Sequence, residues 1–182
     1  MRLLAALFLL SALCGCDKAG QSAGVTRLEL PSNAIETEAK PRKVVRGQVL
    51  YVPCYSHVYL LDGKSYNLAI TLSLRNTSRT DKLIVTSVAY HDSSGGLVKE
   101  LAPKEIEMAP LSVAEMFVHE KDTSGGSGAS FVVRWVAESA ISDPVVEAAM
   151  VGSSGSLGVS FSSSSRVIEQ LPSPTPTPRP TP

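Results

Sequence analysis

In the stretch YNLAITLSLRN, Leu68, Ile70, Leu72 and Leu74 fall on one side of the chain and Ala69, Thr71, Ser73 and Arg75 on the other. A period of two is the repeat of an extended strand with one packed and one wet face, whereas a helix would scatter those leucines around its axis. KLIVTSVAYHD, AEMFVHE, SFVVRWVAE and PVVEAAMVG repeat the theme, with β-branched and aromatic residues where strands favour them. Turn residues separate them: Asp62-Gly63, Asn76-Thr77-Ser78, Ser94-Gly95-Gly96, Thr123 to Ser127 and Gly152 to Gly158. No window of a dozen residues keeps helical spacing without a Gly, Pro or β-branched interruption. With no helices to cover a parallel sheet, the pattern predicts an all-β antiparallel sandwich over residues 44–170. Phe131, Val133 and Trp135 are expected to fill its interior. An immunoglobulin-like strand order is preferred, although Greek-key and jelly-roll orders generate the same alternation.

The two ends read differently. MRLLAALFLLSALCGC carries one cation, Arg2, then an apolar run from Leu3 to Leu10, then small residues. That is the layout of a secretory signal, and the apolar run is too short to span a bilayer core of roughly 30 Å. Leu13-Cys14-Gly15-Cys16 resembles the bacterial lipobox, in which a small residue precedes the cysteine that receives diacylglycerol. Cys16 fits because Gly15 precedes it; Cys14 does not, because Leu13 stands where a small residue is needed. Lipidation at Cys16 is therefore expected, with residues 1–15 removed as signal. The alternative is ordinary cleavage after Ala12 or Gly15, leaving a soluble periplasmic protein. A redox pair of Cys14 and Cys16 is a poor reading, since C-x-C lacks the helix N-terminus that lowers a thiol pKa in C-x-x-C enzymes. Asp17 resembles the residue that keeps enterobacterial lipoproteins in the inner membrane, which favours that membrane over the outer one. Residues 16–43 are polar and aperiodic and read as a flexible tether, with a reach of roughly 25–30 Å. Residues 171–182, LPSPTPTPRPTP, forbid helix and ladder alike and read as a disordered, extended tail that is a spacer or ligand at most.

Charge excludes one class of partner. Lys+Arg and Asp+Glu are equal at 17 each, so nothing argues for a nucleic acid, which calls for a basic face. After processing, Cys54 is the only cysteine besides the anchor, so no disulfide is expected within the domain. In YVPCYSHVY it reads as a small buried hydrophobe.

Four constellations bear on chemistry. The Gly-rich run EKDTSGGSGASFVV precedes a strand and matches neither a dinucleotide fingerprint nor a P-loop lysine pattern. It reads as a long flexible hairpin loop. Gly125-Gly126-Ser127-Gly128-Ala129 has the letters of G-x-S-x-G without the strand-turn-helix setting of a nucleophile elbow. Cys54, His57, His91 and His119, with Met108, Met116 and Met150, offer soft donors suited to copper, although no H-x-H or Met-rich cluster is present. Asp92, Asp122, Glu138 and Glu147 are acids that an envelope hydrolase would need to pair across loops. No motif implies a cofactor.

Taken in order, YVPCYSHVY, LSLRNTS, VTSVAYHDSSGGLV, HEKDTSGGSGASFVVRW, PVVEAAMVG and GVSFSSSSRVI resemble a bacterial envelope family catalogued as domain of unknown function 3124, from about Arg46 to Ile168. The resemblance implies a secreted or lipid-anchored envelope protein and carries no catalytic residues. The leading expectation is a lipid-anchored, extracytoplasmic, non-enzymatic binding module, held to the membrane by its N-terminal lipid and contacting an envelope protein or cell-wall component. Its surface is expected at His119 to Ser130, with Asp122, Thr123, Ser127 and Arg134 as contact residues. A copper-type metal carrier and an envelope hydrolase are the alternatives.

Overall fold

The computed structural model describes residues 27–29 and 34–171. The signal segment, Cys14, Cys16, Asp17 and the proline-rich residues after Leu171 lie outside the described residues. Among those described, the chain forms strands and connections only, and no helix is long and apolar enough to cross a membrane.

Strands are numbered along the chain. The alternating leucine stretch becomes β6 (Ala69–Arg75), the middle of a five-stranded sheet. Its order is β1 (Arg27–Glu29), β10 (Val113–Val118), β6, β12 (Val145–Ser154), β13 (Leu157–Ser164). The second sheet runs β14 (Arg166–Leu171), β3 (Arg46–Pro53), β11 (Ser130–Ala137), β7 (Leu83–His91), β9 (Glu105–Met108), β2 (Ala34–Thr37). A further strand, β8 (Leu97–Glu100), also pairs with β7. A separate hairpin, β4 (His57–Leu60) and β5 (Lys64–Asn67), projects from the β3–β6 connection. Every pairing is antiparallel.

The two large sheets close on one core, as the alternation requires. Leu68, Ile70, Leu72 and Leu74 meet Met116, Val118, Ala148 and Met150 from their own sheet, and Leu50, Val52, Phe131, Val133 and Trp135 from the other. Tyr90 and Phe131 stack at its centre, with ring centroids 5.1 Å apart and planes 29° from parallel. The opposite face of β6 is only partly wet. Ser73, flanked by Glu115 and Glu147 on the neighbouring strands, is buried, and its hydroxyl has no hydrogen-bond partner.

One strand departs from the alternation expected of it. In β7, Leu83 and Val85 face the core, and so do Val88 and Tyr90, although strict alternation would turn the second pair outward. The register against β11 shifts between Arg134, opposite Ser87, and Trp135, opposite Val85. The extra residue, Thr86, is a bulge that returns Val88 and Tyr90 to the interior.

The segment read as a tether contributes two strands. β1 pairs with β10 and β2 with β9, and Ala34 is buried in the core. Short strands of three and four residues leave no periodicity to read. From β2 the chain then crosses the outside of the second sheet to reach β3. On the way Arg42, its side chain only 6% exposed, pairs with Glu105, Lys40 lies beside Ile84 and Glu107, and the Val45 amide donates to the Ala137 carbonyl. This strap is why Ile84 and Val136 are buried on the face turned away from the core.

The β14 edge of the second sheet is guarded. β14 carries exposed Val167 and Ile168, which would invite another strand, but its register slips between Val167 and Glu169 and prolines follow from Pro172. Both features oppose edge pairing.

Candidate functional site

The connection from β10 to β11 passes from one sheet to the other, so residues 119–129 form a crossover and not the flexible hairpin loop expected from their glycines. They are held down along their length. The Asp122 amide donates to the His119 carbonyl at 2.8 Å, and Asp122 Oδ1 accepts from the amide and hydroxyl of Ser124. The Gly126 amide donates to the Thr123 carbonyl at 3.1 Å. Two serines from other connections then pin this path. Ser56, fully buried between β3 and β4, donates both its amide and its hydroxyl to the Gly126 carbonyl, each at 3.0 Å. Ser93, in the β7–β8 turn, donates its amide and hydroxyl to the Gly125 carbonyl at 3.0 and 3.1 Å, and its Oγ accepts from the Gly128 amide at 2.9 Å.

The glycines are needed by this packing. Gly126 holds a φ of +76°, and a Cβ on Gly125 would lie 2.1 Å from the Tyr90 hydroxyl oxygen and 2.7 Å from the Ala129 Cβ. Ser56 and Ser93 carried no signal in the sequence, being two among many serines. Only their backbone partners, far along the chain, give them their role.

Beneath the crossover lie Cys54 and Tyr90. The Cys54 amide donates to the Ala129 carbonyl at 2.9 Å and its thiol is buried, as the sequence suggested. Burial pushes this thiol well above its ordinary range. Burial also raises the Tyr90 phenol, with the charges of Cys54 and Asp122 adding to the effect and the Gly125 backbone opposing it. The contact between that hydroxyl and Gly125 falls short of hydrogen-bond geometry.

A pH effect follows. Above about pH 8.5 an unfolded thiol releases its proton while the native one retains it, so the unfolded state binds fewer protons and stability falls as pH rises. Urea unfolding between about pH 8 and 10 is expected to show a loss approaching about 1.4 kcal/mol per pH unit, absent in Cys54→Ala; equal slopes in both proteins would refute it.

The structure keeps the metal candidates apart. His57 sits at the start of β4 with Nε2 3.3 Å from the Tyr59 hydroxyl, and His91 Nδ1 lies 3.1 Å from the Gly95 carbonyl in its own turn. His119 Nδ1 accepts from the Lys121 amide at 3.1 Å. Met108, Met116 and Met150 are fully buried core residues. Among the described residues no three His, Cys, Asp or Glu side chains are placed to hold a metal ion. The acids are likewise dispersed. Asp92 Oδ1 caps its own turn through the Ser94 and Gly96 amides, Asp122 serves Ser124, and Glu147 pairs with Arg75 at 2.5 Å. Glu138 lines a separate groove with Asp81 and Lys82.

Of the contact residues expected, Asp122, Thr123 and Ser127 share the crossover. Arg134 stands apart, exposed on the outer face of β11, between Val49 and Ser87 and four residues from Ser130, roughly 13 Å along the strand. Between the crossover, the β4–β5 hairpin and the end of β12 opens a groove of about 300 Å³, lined by Lys64, Ser65, Tyr66, Asn67, Glu120, Lys121 and Ser153. Sequence reasoning missed its hairpin wall, because β4 and β5 are short and only the fold brings Lys64 towards Lys121.

A family model described as Protein of unknown function (DUF3124) matches residues 47–168. No curated protein and no solved structure matches the chain.

Proposed function

The chain belongs to the family described as Protein of unknown function (DUF3124), and from that footing we propose that it is a non-enzymatic binding module, anchored by lipid at Cys16 outside the cytoplasm. One observation carries the reading: the β10–β11 crossover is fixed by Ser56 and Ser93, so the end of the sandwich presents a surface whose shape exists before any ligand arrives. Such a surface loses little conformational entropy on binding. Asp92, Asp122, His57, His91 and His119 at this end are engaged by neighbouring backbone or tyrosine groups, which suits recognition better than proton transfer. An immunoglobulin-like kinship of the sandwich belongs to the same proposal.

Two measurements test it. Intact-mass analysis of the mature protein is expected to find a diacylated N-terminal Cys16, with Cys16→Ser moving the protein from the membrane to the soluble fraction; an unmodified terminus would remove the anchor. For the surface, Asp122→Ala, Thr123→Ala and Ser127→Ala are combined in one protein, with Arg134→Ala made separately because it lies elsewhere. The triple variant is expected to lose in-cell crosslinks that Arg134→Ala retains. Unchanged crosslinks in the triple variant would exclude the crossover as the contact surface.

A further inference from the structure

We propose that the groove between the β4–β5 hairpin and the β10–β11 crossover binds an acidic saccharide, a sugar unit carrying a carboxylate. This deepens the binding-module reading and rests on it.

The lining sets the ligand class. Among the described residues, neither the Lys64 nor the Lys121 ammonium has a carboxylate within ion-pair distance, so two cations line one groove with neither held in an ion pair. Glu120 leaves the lining with an excess of one positive charge, enough for a ligand with a single anionic group. It also supplies an acceptor that a bare anion would not use. Lys64 and Tyr66 share one face of β5, and the rest of the lining comes from Ser65, Asn67 and Ser153, whose backbone and side chains add further donors and acceptors suited to hydroxyls. A lipid chain finds too little apolar wall here. An inorganic anion leaves Glu120 unsatisfied, and a neutral sugar leaves both ammoniums unused. The volume, about 300 Å³, is at the small end of ligand sites and suits one or two rings of a longer acidic chain, the others extending into solvent. Lys64 Nζ lies 5.9 Å from the Tyr66 ring centroid, which draws the ammonium over that ring and towards the groove wall.

The test is an amide NMR titration of the mature protein with trigalacturonic acid, with maltotriose and inorganic phosphate as comparison probes. Saturable shifts are expected at Lys64 to Asn67, Glu120, Lys121 and Ser153. Lys64→Gln and Lys121→Gln, which remove exposed charges and leave the fold intact, are each expected to weaken binding about 5- to 10-fold. Glu120→Ala, which removes the acceptor together with the charge, is expected to tighten phosphate more than trigalacturonate, because only the sugar loses a hydroxyl contact. The proposal falls if maltotriose or phosphate binds as tightly as trigalacturonate, if both lysine variants bind normally, or if no shift saturates by about 10 mM, a concentration that reveals even millimolar affinity. Its failure is separable from that of the broader reading, because crosslinking through Asp122, Thr123 and Ser127 does not depend on Lys64.

Discussion

Trp135→Ala is expected to lower the unfolding free energy by about 3–5 kcal/mol, measured by urea denaturation with far-ultraviolet circular dichroism. Trp135 is fully buried on β11, the strand paired on both sides by β3 and β7, so its removal opens a void where the two sheets meet. Domains of this size are stable by only about 5–15 kcal/mol, and the variant is expected to be partly unfolded at 37 °C. Trp135→Phe separates volume from polarity. The indole Nε1 is buried without a hydrogen-bond partner, so phenylalanine loses packing while discarding an unsatisfied donor, and its cost should be less than half that of alanine. Because this is the chain's single tryptophan, tryptophan fluorescence cannot report on either variant. A loss below about 1 kcal/mol for Trp135→Ala would mean that β11 is not the centre of the core.

Gly125→Ala is expected to cost about 3 kcal/mol, at the upper end for adding a single methyl to a packed site. The new Cβ meets the Tyr90 hydroxyl at 2.1 Å, and Tyr90 cannot swing away because its ring is stacked on Phe131 inside the core. The movement must therefore come from the crossover, which breaks the bonds from Ser93 to Gly125. Tyr90→Phe alone should be nearly neutral, since its hydroxyl is buried and unpaired. Combined with Gly125→Ala it should restore only part of the loss, because the Tyr90 ring carbon at 2.6 Å and the Ala129 Cβ at 2.7 Å still obstruct. A double-mutant cycle reads the coupling, and strict additivity would show that the two groups do not touch.

The fold was legible wherever a strand was long enough to display its period. Leu68 to Leu74 and Phe131 to Trp135 announce their buried faces directly, whereas KLIVTSVAYHD reads as plain alternation and the bulge at Thr86 shows only in the register against β11. Strands β1 and β2 were not legible, because three or four residues cannot show alternation and their pairing partners lie far along the chain. The site was less readable still. The glycines of the crossover suggested freedom, whereas the carbonyls of Gly125 and Gly126 and the amides of Asp122, Gly126 and Gly128 found a serine or a neighbouring backbone group instead. Isolated histidines gave a list of possible donors but no geometry, and distance along the chain says nothing about whether imidazoles converge.

The connections at this end differ in how they tolerate a change of length. Residues 119–129 are stitched to two other turns and seated on Tyr90, so one added residue there would shift Gly125 off its aromatic support. The tips at Gly63 and Gly155 have nothing within 4 Å of where a side chain would begin, and each simply reverses a two-stranded ribbon. Those two tips are where foreign sequence is best grafted and where lineages have room to diverge by insertion. The crossover between them has to vary by exchange of residues alone.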